Sequence, residues 1–162
     1  MAVWIQIVGL HKNRFFNKKQ VIDILNEENL TWELKNLNEI DYFEFIFNNQ
    51  TLQIYFDTLN CIQFSGTSDL FSGWYRFVDL QNLIVITEIK KVFSRIANKL
   101  GIQTLYYFSE WFFSLDEIRM GEETLERLIS LIKKYPDLKR ENLVGLESNE
   151  YYCQNTESHP SH

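Results

Sequence analysis

Lysine and arginine are missing from the whole stretch between Asn36 and Tyr75. Cationic recognition of a phosphate or carboxylate is therefore excluded from that quarter of the chain. Proline is scarce, with two residues in 162, and glycine numbers six. No proline-rich linker is present, and neither Gly-x-x-x-x-Gly-Lys nor Gly-x-Gly-x-x-Gly occurs, so the phosphate-cradling motifs are absent. Two cysteines, Cys61 and Cys153, cannot build a disulfide framework, which makes the cytoplasm the expected compartment. Histidine is confined to His11, His159 and His162. With Cys153 the last two match no structural zinc spacing, so no metal and no cofactor are expected. No run approaches the roughly 18 apolar residues of a membrane span, so no membrane partner is expected. Met1 to Leu10 lacks a basic leader and a small-residue cleavage site, and reads as a strand.

Apolar residues are plentiful. They make up 45% of the chain and aromatics 15%, which is enough to bury a core in one domain. The net charge is −6. Such a chain is poorly suited to nucleic acid and well suited to a basic protein, because opposite fields speed encounter.

The aromatics concentrate between residues 37 and 78, which read as an antiparallel meander. Asn48-Asn49-Gln50-Thr51 and Asp57-Thr58-Leu59-Asn60 are turn signals between β-rich runs. Alternation puts Phe43, Phe45, Phe47, Leu52, Ile54, Phe56, Ile62, Phe64, Tyr75 and Phe77 on one face, a core face. The opposite face collects Tyr42, Glu44, Ile46, Gln53, Tyr55, Asp57, Gln63, Trp74 and Arg76. Two readings of that acidic, aromatic face stand: a second core under helices, or a partner-binding surface.

The remaining elements follow from periodicity and capping. Val3 to Val8 is a strand with little polar relief, suited to a central place. Asn17, with Gln20 three residues on, opens a helix over 18–28 that buries Val21, Ile24 and Leu25. Thr31 to Lys35 is a short strand, Ser65 to Gly73 a loop, and Asp79 to Asn82 a turn. Ile89, Val92, Phe93, Ile96, Ala97 and Leu100 form the stripe of a helix over 86–100. Gly101 stops that helix, and Lys90, Lys91, Arg95 and Lys99 give it a basic outer side. Thr104 to Phe108 is apolar on both faces and belongs inside the sheet. A last helix is expected over 122–135, ended by Pro136. The expected fold is α+β: a mostly antiparallel sheet of about six or seven strands packed by two or three helices. Residues 1–147 form one domain in this reading, and 148–162 a polar, disordered tail.

Two acidic segments give the chain its character: the meander from Glu39 to Asp79, and Glu110 to Glu126, where Asp116, Glu117, Glu122 and Glu123 face only Arg119. In this the chain resembles cytoplasmic immunity proteins of bacterial toxin–immunity pairs, of the contact-dependent inhibition and type VI secretion kinds. These are small, acidic, aromatic-rich and motif-poor single domains. The resemblance implies a cognate toxin, often a basic nuclease, whose active site or substrate path is covered. Carboxylates would replace phosphates there and aromatics would act as anchors. The residues it points to are Asp41, Glu44, Tyr55, Asp57, Asp69, Trp74, Glu110 and Trp111, with no catalytic residue among them. Another inhibitor or a scaffold subunit is the alternative binder. An enzyme would need convergent carboxylates in a pocket, or Cys61 beside His11.

Overall fold

The structure is a computed structural model that describes residues 5–10, 17–58, 61–67, 80–109, 130, 139–140 and 151–156. Its strands are β1 (Ile5–Leu10), β2 (Thr31–Leu37), β3 (Ile40–Phe47), β4 (Gln50–Thr58), β5 (Cys61–Gly66), β6 (Thr104–Ser109), β7 (Lys139–Arg140) and β8 (Tyr151–Asn155). They form one sheet in the order β2-β3-β4-β5-β1-β6-β8-β7. Seven strands pair antiparallel, and the two-residue β7 lies parallel to β8. Helices α1 (Lys18–Glu27) and α2 (Leu80–Lys99) accompany the sheet, which is the expected α+β class. Of the helix expected over 122–135 only Ser130 is among the described residues, and it is helical.

Two tight turns fix the meander. Asn38 and Glu39 have φ of 52° and 68°, and Asn48 and Asn49 have φ of 50° and 62°. Positive φ at both central residues defines the type I′ hairpin, whose twist matches that of paired strands. Pairing then runs outward symmetrically: Leu37 with Ile40 up to Thr31 with Ile46, and Phe47 with Gln50 back to Tyr42 with Tyr55. β2 accordingly runs to Leu37, two residues past its expected end.

Both helices cover the phenylalanine face. Phe43, Phe45, Leu52, Ile54, Ile62 and Phe64 are buried there with Val21, Ile24 and Leu25 of α1 and Ile89, Val92, Phe93 and Ile96 of α2. Phe64 and Phe93 meet with ring centroids 4.6 Å apart. The Asn17 side chain accepts from Gln20 N at 2.9 Å, and the Gln20 side chain accepts from Asn17 N at 3.3 Å, the expected capping box. Each helix ends in a Schellman motif. In α1, Leu30 N donates to Leu25 O and Asn29, at φ 56°, takes the left-handed position; in α2, Ile102 N donates to Ala97 O after Gly101 at φ 82°.

The helices are also joined by charge. Arg95 lies 3.3 Å from Glu28, and Lys99 lies 3.1 Å from Glu27 and 3.3 Å from Glu28. Pairs of this kind contribute roughly 0–1 kcal/mol each, against about 1.5–3 kcal/mol for each buried aliphatic side chain. The apolar stripe therefore holds the helices, and the ion pairs set their mutual orientation. The expected basic outer side of α2 is thus largely spent: Lys91 pairs with Glu88 at 3.2 Å, and Lys90 sits 5.9 Å above the Tyr107 ring, where burial pushes its ammonium pKa down.

Three further expectations need correction. α2 starts at Leu80, inside the expected turn and six residues before the expected start. The β-branched run Ile84-Val85-Ile86-Thr87 favours extended backbone locally, but burial of Ile86 with Ile89 outweighs it. Ser65 and Gly66, expected in a loop, belong to β5. Residues 151–155, expected in a disordered tail, form β8 against β6. Tyr107 Oη donates to Gln154 at 2.7 Å, and Thr156 Oγ1 donates to the Ile102 carbonyl at 2.6 Å. A short β-forming core in a polar context is stabilised by these tertiary bonds rather than by its own pattern.

β1 is central, as its composition demands. Ile7 is buried on the helix side and Val8 on the other. Gly9 lies beneath Ile102, where a Cβ would stand 2.9 Å from Ile102 Cδ1 and 3.1 Å from Ile62 Cγ2. Gly9→Ala is therefore expected to destabilise the protein by about 1–3 kcal/mol through overpacking, read as a lower urea midpoint at unchanged m-value. Glu39→Gly should act in the opposite direction. It relieves a left-handed glutamate and raises stability by about 0.5–1 kcal/mol in the same titration.

Candidate protein-binding face

The opposite face of β2, β3 and β4 carries no described helix. Because side chains alternate, it presents Thr31, Glu33, Lys35 and Leu37 from β2, Ile40, Tyr42, Glu44 and Ile46 from β3, and Thr51, Gln53 and Tyr55 from β4. Leu37 and Ile46 are 56% and 48% exposed, so the face offers apolar contact area at both ends of the β2–β3 pair. Towards β1 the same face closes, since Val8 is fully buried.

A polar chain crosses this face. Lys35 Nζ lies 2.9 Å from Glu44 Oε1. Gln53 Nε2 donates to Glu44 Oε2 at 3.3 Å, and Tyr55 Oη donates to Gln53 Oε1 at 3.3 Å. Tyr42 and Tyr55, paired across β3 and β4, stack with centroids 4.8 Å apart and planes 20° apart. Such a stack contributes about 0.5–1.5 kcal/mol beyond burial and leaves two rigid amphipathic rings presented together. Beside it lies a notch of about 230 Å³ lined by Leu37, Asn38, Ile40, Tyr55, Gln63 and Ser65. Small-molecule sites usually enclose roughly 300–1,000 Å³; this one suits a single inserted side chain.

The chemistry of Glu44 is that of a fixed anion. The Lys35 hydrogen bond, with that from Gln53, holds its carboxyl pKa below the ordinary 4.5 despite opposing burial. A carboxylate bonded through both oxygens and kept ionised is a poor general base and a good point of charge recognition. Among the described residues no group of three or more His, Cys, Asp or Glu is placed to hold a metal ion. No described helix is long and apolar enough to cross a membrane.

Of the residues singled out from the sequence, Glu44 and Tyr55 come together here. Asp41 does not join them. It lies on the helix side, where Lys18 of α1 and Asn36, at 2.8 Å, bond its carboxylate and lower its pKa. Asp57 sits near the end of β4, inside the register shift between Tyr55 and Thr58. Asp69, Trp74, Glu110 and Trp111 lie outside the described residues, as does His11. Sequence reasoning passed over Tyr42, Lys35 and Leu37 as site residues. The signal for Tyr42 was available: a two-residue turn at Asn48-Asn49 places it directly opposite Tyr55.

Comparison with protein-family models, with curated proteins and with solved structures finds no match.

The lowered Glu44 pKa has a measurable consequence. A carboxylate depressed in the folded state adds stability that is fully present above its unfolded value and is lost as pH falls through the folded value. Stability should therefore decline below pH 4.5. The decline should be shallower in Glu44→Gln than in the parent, as measured by urea midpoints across acid pH.

Proposed function

We propose that this chain is a cytoplasmic immunity protein that binds and neutralises a basic toxin by covering its active site. The observation carrying this reading is the face of β2–β4 that carries no described helix, where stacked Tyr42 and Tyr55 adjoin the fixed carboxylate of Glu44 between exposed Leu37 and Ile46. Aromatic anchors at the centre of a patch, with charge that orients the partner, are the composition of a protein-binding hot spot. The acidic balance of −6 supports a basic partner through faster encounter. The notch beside Tyr55 is sized for one side chain of that partner rather than for a substrate.

A retained-partner experiment tests this. The tagged chain should capture one basic protein from lysate of the source cells at low salt and release much of it at high salt. That protein, expressed alone, should arrest growth, and co-expression of this chain should restore it. Tyr42→Ala/Tyr55→Ala should weaken capture at least tenfold, about 1.4 kcal/mol or more, while leaving the circular dichroism of the sheet intact. Equal capture by the double variant would remove this face from the interface. A captured protein without toxicity would replace immunity with another inhibitor or scaffold role.

A further inference from the structure

Among the described strands β2 ends the sheet, and no described residue pairs with its outer edge. Thr31, Glu33, Leu34, Asn36 and Leu37 are all exposed, Leu34 at 44%. The strand is seven residues long, flat in register against β3, and free of proline. Natural sheets usually blunt an edge of that length, because its unpaired amides and carbonyls template another strand. Here the edge is also held rigid. Trp32 donates from Nε1 to Asn26 of α1 at 2.8 Å and packs edge-on against Phe43 at 5.6 Å, so little order remains to be gained on pairing.

We propose that β2 pairs antiparallel with β2 of a second copy of this chain, about a two-fold axis through Leu34. The sequence Thr31-Trp32-Glu33-Leu34-Lys35-Asn36-Leu37 is self-complementary in that register. Leu34 meets its own counterpart, and Glu33 faces the second copy's Lys35 while Lys35 faces the second copy's Glu33. Thr31 faces Leu37, and Trp32 faces Asn36. Opposite charges directly across an antiparallel pair favour it, and like charges oppose it. A shift of two residues would put Glu33 opposite Glu33 or Lys35 opposite Lys35, so charge selects this register over its neighbours.

The backbone agrees with the side chains. The two-residue turn makes Leu37 and Ile40 a hydrogen-bonded pair, so alternation turns the amides and carbonyls of Trp32, Leu34 and Asn36 to the free edge. These are the groups that an axis through Leu34 brings into mutual hydrogen bonding. Lys35 keeps its 2.9 Å bond to Glu44 on one side and gains a carboxylate on the other. The interface is isologous and therefore closes at two copies. Because the axis is perpendicular to the sheet, the tyrosine faces of both copies lie on the same side.

Sedimentation equilibrium of the full chain, from roughly 1 μM to 1 mM, tests the proposal. A monomer–dimer equilibrium is expected. Leu34→Pro removes one edge amide that β3 does not use, and edge strands tolerate proline; it should abolish the dimer while far-ultraviolet circular dichroism stays that of the parent. Glu33→Lys, which sets Lys35 against a lysine, should weaken the dimer roughly tenfold. The charge swap Glu33→Lys/Lys35→Glu should restore it, since the pairs across the axis are again opposite and Glu44 again faces a lysine. The swap decides the matter even if the proline variant fails to fold. A monomer throughout the range, growth beyond two copies, or a dimer indifferent to Glu33→Lys and the swap would overturn the proposal.

Discussion

Register in the first hairpins is the constraint on which everything else rests. Asn38-Glu39 and Asn48-Asn49 each put two consecutive residues at positive φ, and a two-residue turn permits one pairing only. A slip of one residue would exchange the faces of β3 completely. Phe43 and Phe45 would go to solvent, and Tyr42 and Glu44 would go beneath the helices. The cost of exposing two fully buried phenylalanines is several kcal/mol, at about 25 cal/mol per Å² of apolar surface. It exceeds by far the local strain of a glutamate held left-handed at position 39. The turn is thus maintained by the core it serves.

Given that register, charge is organised mostly within the molecule. Lys18 reaches Asp41 from the first turn of α1, Arg95 and Lys99 reach back to Glu27 and Glu28, and Lys35 engages Glu44. Each pair joins two elements adjacent in space but separate in the chain. Their individual contributions are small beside the apolar core, but each is directional. Arg95 and Lys99, which in the sequence look like part of a solvated basic stripe, therefore tie α2 to the end of α1. The open tyrosine face is left with a net acidic character.

What could be read from the sequence was what local physics decides. The capping box at Asn17, the left-handed stop at Gly101 and the period-two faces of the meander depend on neighbours within a few residues. So did the α+β class, since helical and extended patterns were segregated. The side of the sheet taken by Asp41 was also available, because it is one residue from Tyr42 and two from Phe43. It was obscured by grouping residues by charge rather than by parity. Other features depend on distant partners. The placement of β1 between β5 and β6 requires pairings across most of the chain, and β8 is ordered by Tyr107, Ile102 and Asn98 rather than by its own pattern. Burial of Val8 on the face that is open at Tyr42 is another such long-range effect. No count of aromatics along β3 could locate that boundary.

The position of β1 has a consequence for synthesis. Its two neighbours are β5 and β6, with Ile7 opposite both Phe64 and Tyr107. At about 5–20 residues per second, the roughly 100 residues from β1 to β6 take on the order of 5–20 s to emerge. β2, β3 and β4 close on one another within microseconds of leaving the ribosome. β1, apolar on both faces, waits as an unpaired strand while its slot is still being made. The centre of the finished sheet is thus completed late, after the β2–β5 meander is in place and before β8 can be laid against β6.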